Sequence, residues 1–379
     1  MPDILIVAGE PSGDALAGEL VRAAGDLRPD VRFFGATGPD LEAAGAERVL
    51  PTSTLSAMGL TEVAGKIPAA LKALKALERA AVERPAAGAV LVDSPDFNLR
   101  LARRLARRGV PVVQYVAPTV WAWRRGRIRA VRRYVRRLLV TLPFEAGTYR
   151  EAGVDAVYVG HPAADRIPRP LPPRSEVAER AGLPENRRWV ALLPGSRAAE
   201  LERLGATFAA AAERIGAHVP DAAFLAPVAP GVDPERVVEA LSGGPPVALV
   251  RRCRHEVLAH CEAAVSASGT ASLELALLGV PHVVAYRVSA VTWGAARLLV
   301  RVDHVALPNL IAGKAIVPEF LQGAARAVAI AGPVLTWLAD EAARAEVVRE
   351  LTQVREAIGP RGVAGRAARE TLNALGLTL

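Results

Sequence analysis

The stretch "AVLVDSPDFNLRLA" sets two carboxylates, Asp93 and Asp96, and the amide of Asn98 directly after a short apolar run. A carboxylate with an orienting neighbour at a strand end is a pattern for a general base. Asp96, next to the helical "FNLRLARRLARR", is the one expected to meet substrate, and the other acid would cap that helix. A second acidic loop, "AGEPSGD" at residues 8–14, follows "DILIV". It has neither the G-x-G-x-x-G spacing nor a G-K-[ST] ending, so both common nucleotide fingerprints fail. Its acids, Glu10 and Asp14, flank Ser12 and Gly13 and repel phosphate. They suit an uncharged, hydroxyl-bearing acceptor.

Anion chemistry is expected further along the chain. "WVALLPGSRAAE" reads as a strand, a turn through Gly195 and Ser196, and a helix start carrying Arg197. Backbone amides, the positive helix end and a guanidinium would converge there on a diphosphate. "SASGTASLEL" repeats the design with Ser268, Gly269 and Thr270, followed by Glu274 in the first turns of the helix. A carboxylate at that position can accept from the two hydroxyls of a ribose. A helix cap with a solvated Glu is the plainer alternative.

These loops need a scaffold of strands. Short β-like runs alternate with Ala/Leu/Arg-rich helical segments, the pattern of an α/β fold with parallel sheets. The first series is "DILIV", "VRFFG", "AVLVD", "VPVVQYV", "RLLVTL" and "VYVG"; the second is "WVALL", "AFLAPV", "VALV", "AAVSA" and "HVVAY". Between them, Pro162, Pro168, Pro170, Pro172 and Pro173 oppose both helix and central strand. The expected organisation is an N-terminal Rossmann-like acceptor domain at 1–165, a linker at 166–186, a nucleotide-binding Rossmann-like domain at 187–337 and helices at 338–379 that pack back on the first domain. The two domains are expected to face one another across a cleft.

Bulk properties narrow the partners. The chain has 379 residues, 51% of them hydrophobic, so two cores can be filled. A formal charge of +8 favours anionic partners. Two cysteines supply no disulfide framework, and the start lacks a signal peptide, which points to the cytoplasm. No apolar run reaches the roughly 18 to 20 residues needed to span a bilayer, so membrane contact would be peripheral. Cys253, His255, His260 and Cys261 match no common zinc spacing, and no metal is expected. Between Phe97 and Thr141 there are 13 arginines and no acid. Within them, Ile128, Val131, Val135 and Leu138 form a stripe at helical spacing, as on a surface helix with solvated arginines. Anionic lipid or a substrate phosphate is the sharper explanation for the charge. Met58, Leu60, Val63, Ile67 and Leu71 make an apolar patch beside two lysines, either core or a face for a lipid surface.

"AGEPSGD", "SAMGLTEV", "DSPDFN", "YVAPTVWAWRRGRI", "LPFE", "VGHP", "LLPGSR", "SGTASLE", "VAYRVS" and "LPNLIAG" resemble, in order and over nearly the whole chain, the lipid-A-disaccharide synthase family. The resemblance implies a GT-B fold and an inverting glycosyltransferase with no cofactor. It would join a UDP-2,3-diacylglucosamine donor to a 2,3-diacylglucosamine 1-phosphate acceptor through a β-1,6 bond, releasing UDP. It further implies roles for Glu10 and Asp96 in catalysis, for Arg197 and Glu274 at UDP, and for Asn309 at substrate, with Ser12, Asn98 and His161 beside them. An anionic membrane surface is the implied platform; nucleic acid is not a partner, and a homodimer is left open. Substitutions in "YVAPTVWAW" and "DSPDF" and the looser "GKAIVPEF" bear on acyl-chain preference. Another GT-B enzyme using UDP-N-acetylglucosamine, or a UDP-sugar epimerase, is the alternative on the same scaffold. A basic nucleic-acid-binding protein is the rival of another class.

Overall fold

Strands buried on both faces read as continuous apolar runs, because helices cover a parallel sheet from either side. The computed structural model describes residues 1–56, 63–229, 231–290, 292–294 and 302–377. Two compact units emerge: Met1–Pro162 with Pro360–Leu379, and Ala163–Gly359. In the first unit β1 (Asp3–Ala8), β2 (Arg32–Thr37), β3 (Glu47–Pro51), β4 (Gly88–Val92), β5 (Val112–Tyr115), β6 (Arg137–Val140) and β7 (Ala156–Tyr158) pair in parallel, in the order β3-β2-β1-β4-β5-β6-β7. In the second, β8 (Arg188–Leu193), β9 (Ala222–Pro227), β10 (Val247–Val250), β11 (Ala263–Ala267), β12 (His282–Tyr286) and β13 (Glu319–Leu321) follow the order β10-β9-β8-β11-β12-β13.

Side chains alternate across each strand and so feed two core layers. Leu5, Val7 and Leu91 pack with Leu74, Leu77, Leu101 and Leu105 on one face of the first sheet. Ile4, Ile6, Val90 and Val92 pack with Leu20, Val21 and Leu372 on the other. The strand order reverses between β1 and β4, and again between β8 and β11. Loops leaving the carboxyl ends of two such strands diverge and open a crevice, the usual ligand position in open α/β sheets. "AGEPSGD" and "DSPD" leave the first switch point, and "LPGSR" and "SGT" leave the second.

Several expectations change. β3 and β13 are edge strands that the apolar-run criterion passes over. The stretch 166–186 is no free linker: it carries the helix Arg174–Ala181, whose Val177 and Ala178 are buried with Trp189 in the second unit. The helical tail divides. Glu341–Ile358 packs in the second unit through Leu351, Val354 and Ile358, and Val363–Ala374 packs against the helix Pro11–Leu27 of the first. The arginine-rich helix spans only Arg127–Tyr134, so Val135 follows its end and Leu138 belongs to β6.

His282, at the start of β12, is fully buried. Its Nδ1 lies 2.8 Å from the Val280 carbonyl oxygen and its Nε2 2.9 Å from Ser272 Oγ. A carbonyl only accepts, so Nδ1 carries the proton and Nε2 accepts from the hydroxyl. Burial lowers the pKa of this neutral ring to about 4. The unfolded ring, near 6.5, binds its proton first, so the stability present above about pH 6.5 is lost as pH falls towards 4, by up to about 1.4 kcal/mol per pH unit. Thermal unfolding at pH 7 and pH 4.5 is expected to show a larger drop in melting temperature for the native chain than for His282→Asn.

Candidate active site

At the first switch point β4 runs directly into Asp93 and Ser94, both left-handed at φ +51° and +42°. Val116, just past the neighbouring β5, is also left-handed, at φ +68°. Such residues cost on the order of 1–3 kcal/mol each and persist only where the surroundings fix them. Asn98 Nδ2 donates to the carbonyls of Val92 and Asp93 at 3.1 and 2.7 Å, and Gln114 Nε2 to those of Asp93 and Val116 at 3.2 and 3.3 Å. Both amides are fully buried. Asn98, expected at substrate, braces the turn through these bonds. Gly9 passes so close that any Cβ on it would overlap the Ser94 side chain. The two loops are thereby pressed together, with the Asp93 carboxyl half-buried and its pKa raised by that burial.

Asp96 differs from its expected position. Pro95 opens the helix Pro95–Arg107, so Asp96 lies within the first turn rather than ahead of it. Its side chain is 70% exposed and paired with Arg127 at 2.5 Å and Arg124 at 3.1 Å. Glu10 is exposed at the start of the helix Pro11–Leu27, with no capping bond from its side chain, and Ser12 is exposed beside it. Asp14 is turned away from this pair: it is buried and accepts from the amides of Gly38 and Asp40 at 2.7 and 2.9 Å. His161 is half-buried beyond β7, near where Arg366 donates to the Val159 carbonyl at 2.9 Å.

The second switch point holds the residues expected at a diphosphate. Gly195 has φ +129°, and a Cβ there would overlap Glu200. The amides of Ser196 and Arg197 donate to Glu200 Oε2 at 2.9 and 3.3 Å. The nest expected to cradle phosphate therefore already holds an anion, one from its own helix. Arg197 is exposed, 3.6 Å from the same carboxylate. Across the switch point, Gly269 (φ +145°) and exposed Thr270 begin the helix Thr270–Leu278. Ser268 Oγ donates to the Val305 carbonyl at 3.3 Å.

Glu274 is not the solvated carboxylate of a plain cap: it is 5% exposed, with Arg254 Nη2 at 2.8 Å and His255 Nε2 at 3.6 Å. Burial pushes its pKa up but is outweighed by the nearby His255 ring and the charges of Arg254 and Arg166, so the carboxyl sits below its usual range. Arg254 Nε and His255 Nε2 are buried without a hydrogen-bond partner among the described atoms, and Glu274 Oε2 is met by the Arg254 ion pair alone. Such unmet capacity is costly in a native core, and two hydroxyls that both donate and accept would fill it.

Asn309, expected at substrate, braces the loop that follows it. Nδ2 donates to the Val317 carbonyl and Glu319 Oε1 at 2.8 and 2.7 Å, and Oδ1 accepts from the amides of Ile316 and Val317 at 2.8 and 2.9 Å. Those four bonds use its full capacity. Glu319 in turn accepts from the amides of Val305 and Ala306 at 2.9 and 3.0 Å, fixing the segment on which Ser268 leans. Sequence reasoning passed over Arg254, Glu319 and Glu200. Only the Glu at the third helical position after "GSR" carried a signal, that of a capping box.

Met58 and Leu60 lie outside the described residues, as do the side chains of Val63 and Ile67 at the start of the helix Val63–Glu83. Leu71, on that helix, is 44% exposed. Among the described residues no helix is long and apolar enough to cross a membrane. His255 faces Glu274, whereas His260 Nε2 lies 2.9 Å from the Pro172 carbonyl, so the two histidines serve different partners.

A family model described as lipid-A-disaccharide synthetase matches residues 4–366. The chain belongs to this family. It is 46% identical over 375 residues to the lipid-A-disaccharide synthase of Myxococcus xanthus, covering 99% of this chain and 98% of that one. With the synthase of Syntrophus aciditrophicus it shares 40% over 367 residues, 96% of each. Among solved structures, a glycosyltransferase of kitacinnamycin aligns over 99% of this chain and 100% of that one, with a TM-score of 0.65 at 19% identity. A UDP-GlcNAc 2-epimerase from Neisseria meningitidis bound to UDP-GlcNAc aligns over 99% of both chains, with a TM-score of 0.64 at 10% identity. Those two likenesses show the GT-B-type fold alone. Membership of the lipid-A-disaccharide synthetase family makes the chain a UDP-sugar-dependent glycosyltransferase of lipid A biosynthesis.

Proposed function

We propose that the chain transfers 2,3-diacylglucosamine from UDP to the 6-hydroxyl of 2,3-diacylglucosamine 1-phosphate, with Asp93 rather than Asp96 as the base. The observation that carries the assignment is the strained turn. Two consecutive left-handed residues, held by buried Asn98 and Gln114, aim effort at one carboxyl whose affinity for a proton is raised by burial. Asp96, 70% exposed in the first turn of the helix and beside two guanidiniums, is not held by the strained turn. Glu10, exposed and uncapped at the same switch point, orients the acceptor. In the transfer, Asp93 takes the proton of the 6-hydroxyl as its oxygen attacks the donor's anomeric carbon. The bond from that carbon to the diphosphate breaks with inversion, and UDP leaves with the electron pair.

The leaving diphosphate meets the amides of Ser196 and Arg197, displacing Glu200, together with the Arg197 guanidinium and the amino end of the helix Thr270–Leu278. Ribose hydroxyls engage Glu274 and satisfy the buried groups left open around Arg254. Mass spectrometry of products from the two diacylglucosamine substrates tests the reading: a disaccharide plus UDP is expected. Conversion of UDP-N-acetylglucosamine with no acceptor present would replace it with an epimerase.

The acylated substrates also require a lipid platform, since each buried methylene contributes about 0.8 kcal/mol against release into water. The helix Val63–Glu83, with exposed Leu71 beside Lys72, is the face proposed to meet it. Sedimentation with anionic vesicles in high salt is expected to pull down less Leu71→Ser protein than native; equal fractions would move the face elsewhere.

A further inference from the structure

The loop between β5 and β6 is pinned at several points and carries two arginines to one place. Tyr149 Oη donates to the Pro118 carbonyl at 2.6 Å, Trp123 Nε1 to Thr119 Oγ1 at 3.2 Å, and Trp121 Nε1 to the buried Glu145 carboxylate at 3.0 Å. Beyond these anchors Arg124 adopts a left-handed backbone, φ +51°. Its guanidinium and that of Arg127 lie over the Trp123 ring, 4.3 and 5.1 Å from the centroid. Stacking on an aromatic face orders a guanidinium that would otherwise sample many rotamers. Both ordered cations converge on Asp96.

The occupant is a poor match for so much preparation. An exposed carboxylate in water gains about 0–1 kcal/mol from an ion pair, and Asp96 is 70% exposed. A phosphomonoester offers three acceptor oxygens and a charge near −2, and fits two guanidinium forks far better. The site also lies at the amino end of the helix Pro95–Arg107, where backbone dipoles favour an anion. Asp93, the proposed base, lies three residues earlier in the chain, just before this helix start.

We propose that Arg124 and Arg127 form a clamp for the phosphate of the acceptor sugar, and that Asp96 is the clamp's internal occupant until that phosphate displaces it. The inference rests on the transfer reaction proposed above and adds a residue-level basis for acceptor choice. Asp96 holds the guanidiniums in place without binding them tightly, so exchange for a dianion is cheap.

The test compares diacylglucosamine 1-phosphate with phosphate-free diacylglucosamine as acceptors, both in neutral detergent micelles so that bulk anionic lipid plays no part. The native chain is expected to favour the phosphorylated acceptor by about 10- to 100-fold in kcat/KM, the scale of one or two charge-assisted hydrogen bonds. In Arg124→Ala/Arg127→Ala that ratio is expected to shrink towards one. Asp96→Asn, an exposed substitution, is expected to lower KM for the phosphorylated acceptor because the competing carboxylate is gone. A double variant that discriminates as the native chain does, or an Asp96→Asn KM that rises, would overturn the clamp while leaving the reaction standing. No disaccharide from either acceptor with the native chain would remove the reaction, and the clamp with it.

Discussion

Asp93→Asn is expected to lower turnover by about 10²- to 10⁴-fold while UDP affinity stays within about twofold of native, the signature of a lost positioned base. The amide preserves the shape of the turn but cannot take the proton. Asp96→Asn is the internal control, because the two acids are three residues apart and only one can be the base. Its turnover is expected to fall less than tenfold. Steady-state kinetics on both variants, with calorimetric titration of UDP, decide between them. A collapse of turnover in Asp96→Asn alone would return the base to the helix end and leave the strained turn without a catalytic role. The pH profile adds a separate readout. Burial raises the Asp93 pKa, so activity limited by this group falls on the acid side at a pH above that of an ordinary aspartate.

Glu274→Ala is expected to cost both fold stability and UDP binding. Removing one partner of a buried pair strands the other, here Arg254, and such losses run to about 3–5 kcal/mol, or roughly 6–20 °C in melting temperature for a unit of this size. Arg197→Ala should behave differently. That side chain is exposed, so its loss is expected to weaken UDP while melting stays near native. Differential scanning fluorimetry with and without UDP separates the two. If Glu274→Ala melts as the native chain does and binds UDP as well, the carboxylate has no part in the donor site.

The central strands of both sheets were legible because burial on two faces leaves only apolar residues in them. β3 and β13 were not. "ERVLP" carries Glu47 and Arg48 at a sheet edge, and "EFL" is three residues long after a proline. The loops that hold the candidate site were legible too, since Gly and Pro punctuate the ends of buried runs. Which acid acts within "DSPD" was not, because the choice turns on backbone torsions at Asp93 and Ser94 that no residue type announces. Neither residue is glycine, so the left-handed turn is imposed by Asn98 and by Gln114, sixteen residues further along. In the same way a solvated cap remained the plainer alternative for Glu274 until Arg254, twenty residues upstream, was brought beside it. Asn309 stood out in its motif, yet its four bonds are internal; a motif marks constraint without saying whether ligand or backbone imposes it.

The first unit is written in two pieces. Its final helix, Val363–Ala374, buries Ala367, Ala368 and Leu372 among Ile4, Ile6, Val90 and Leu139. Gly88, where β4 begins, is occluded by Leu375, which would overlap any Cβ there. During synthesis this core must wait. The ribosome delivers the whole of Ala163–Gly359 before the segment that closes the earlier sheet, so the unit begun first is completed last. Until then the cavity left for that helix exposes the apolar face of β1 and β4 to chaperones, and a stop codon shortly after Gly359 would strike the unit begun first rather than the one next to it in sequence.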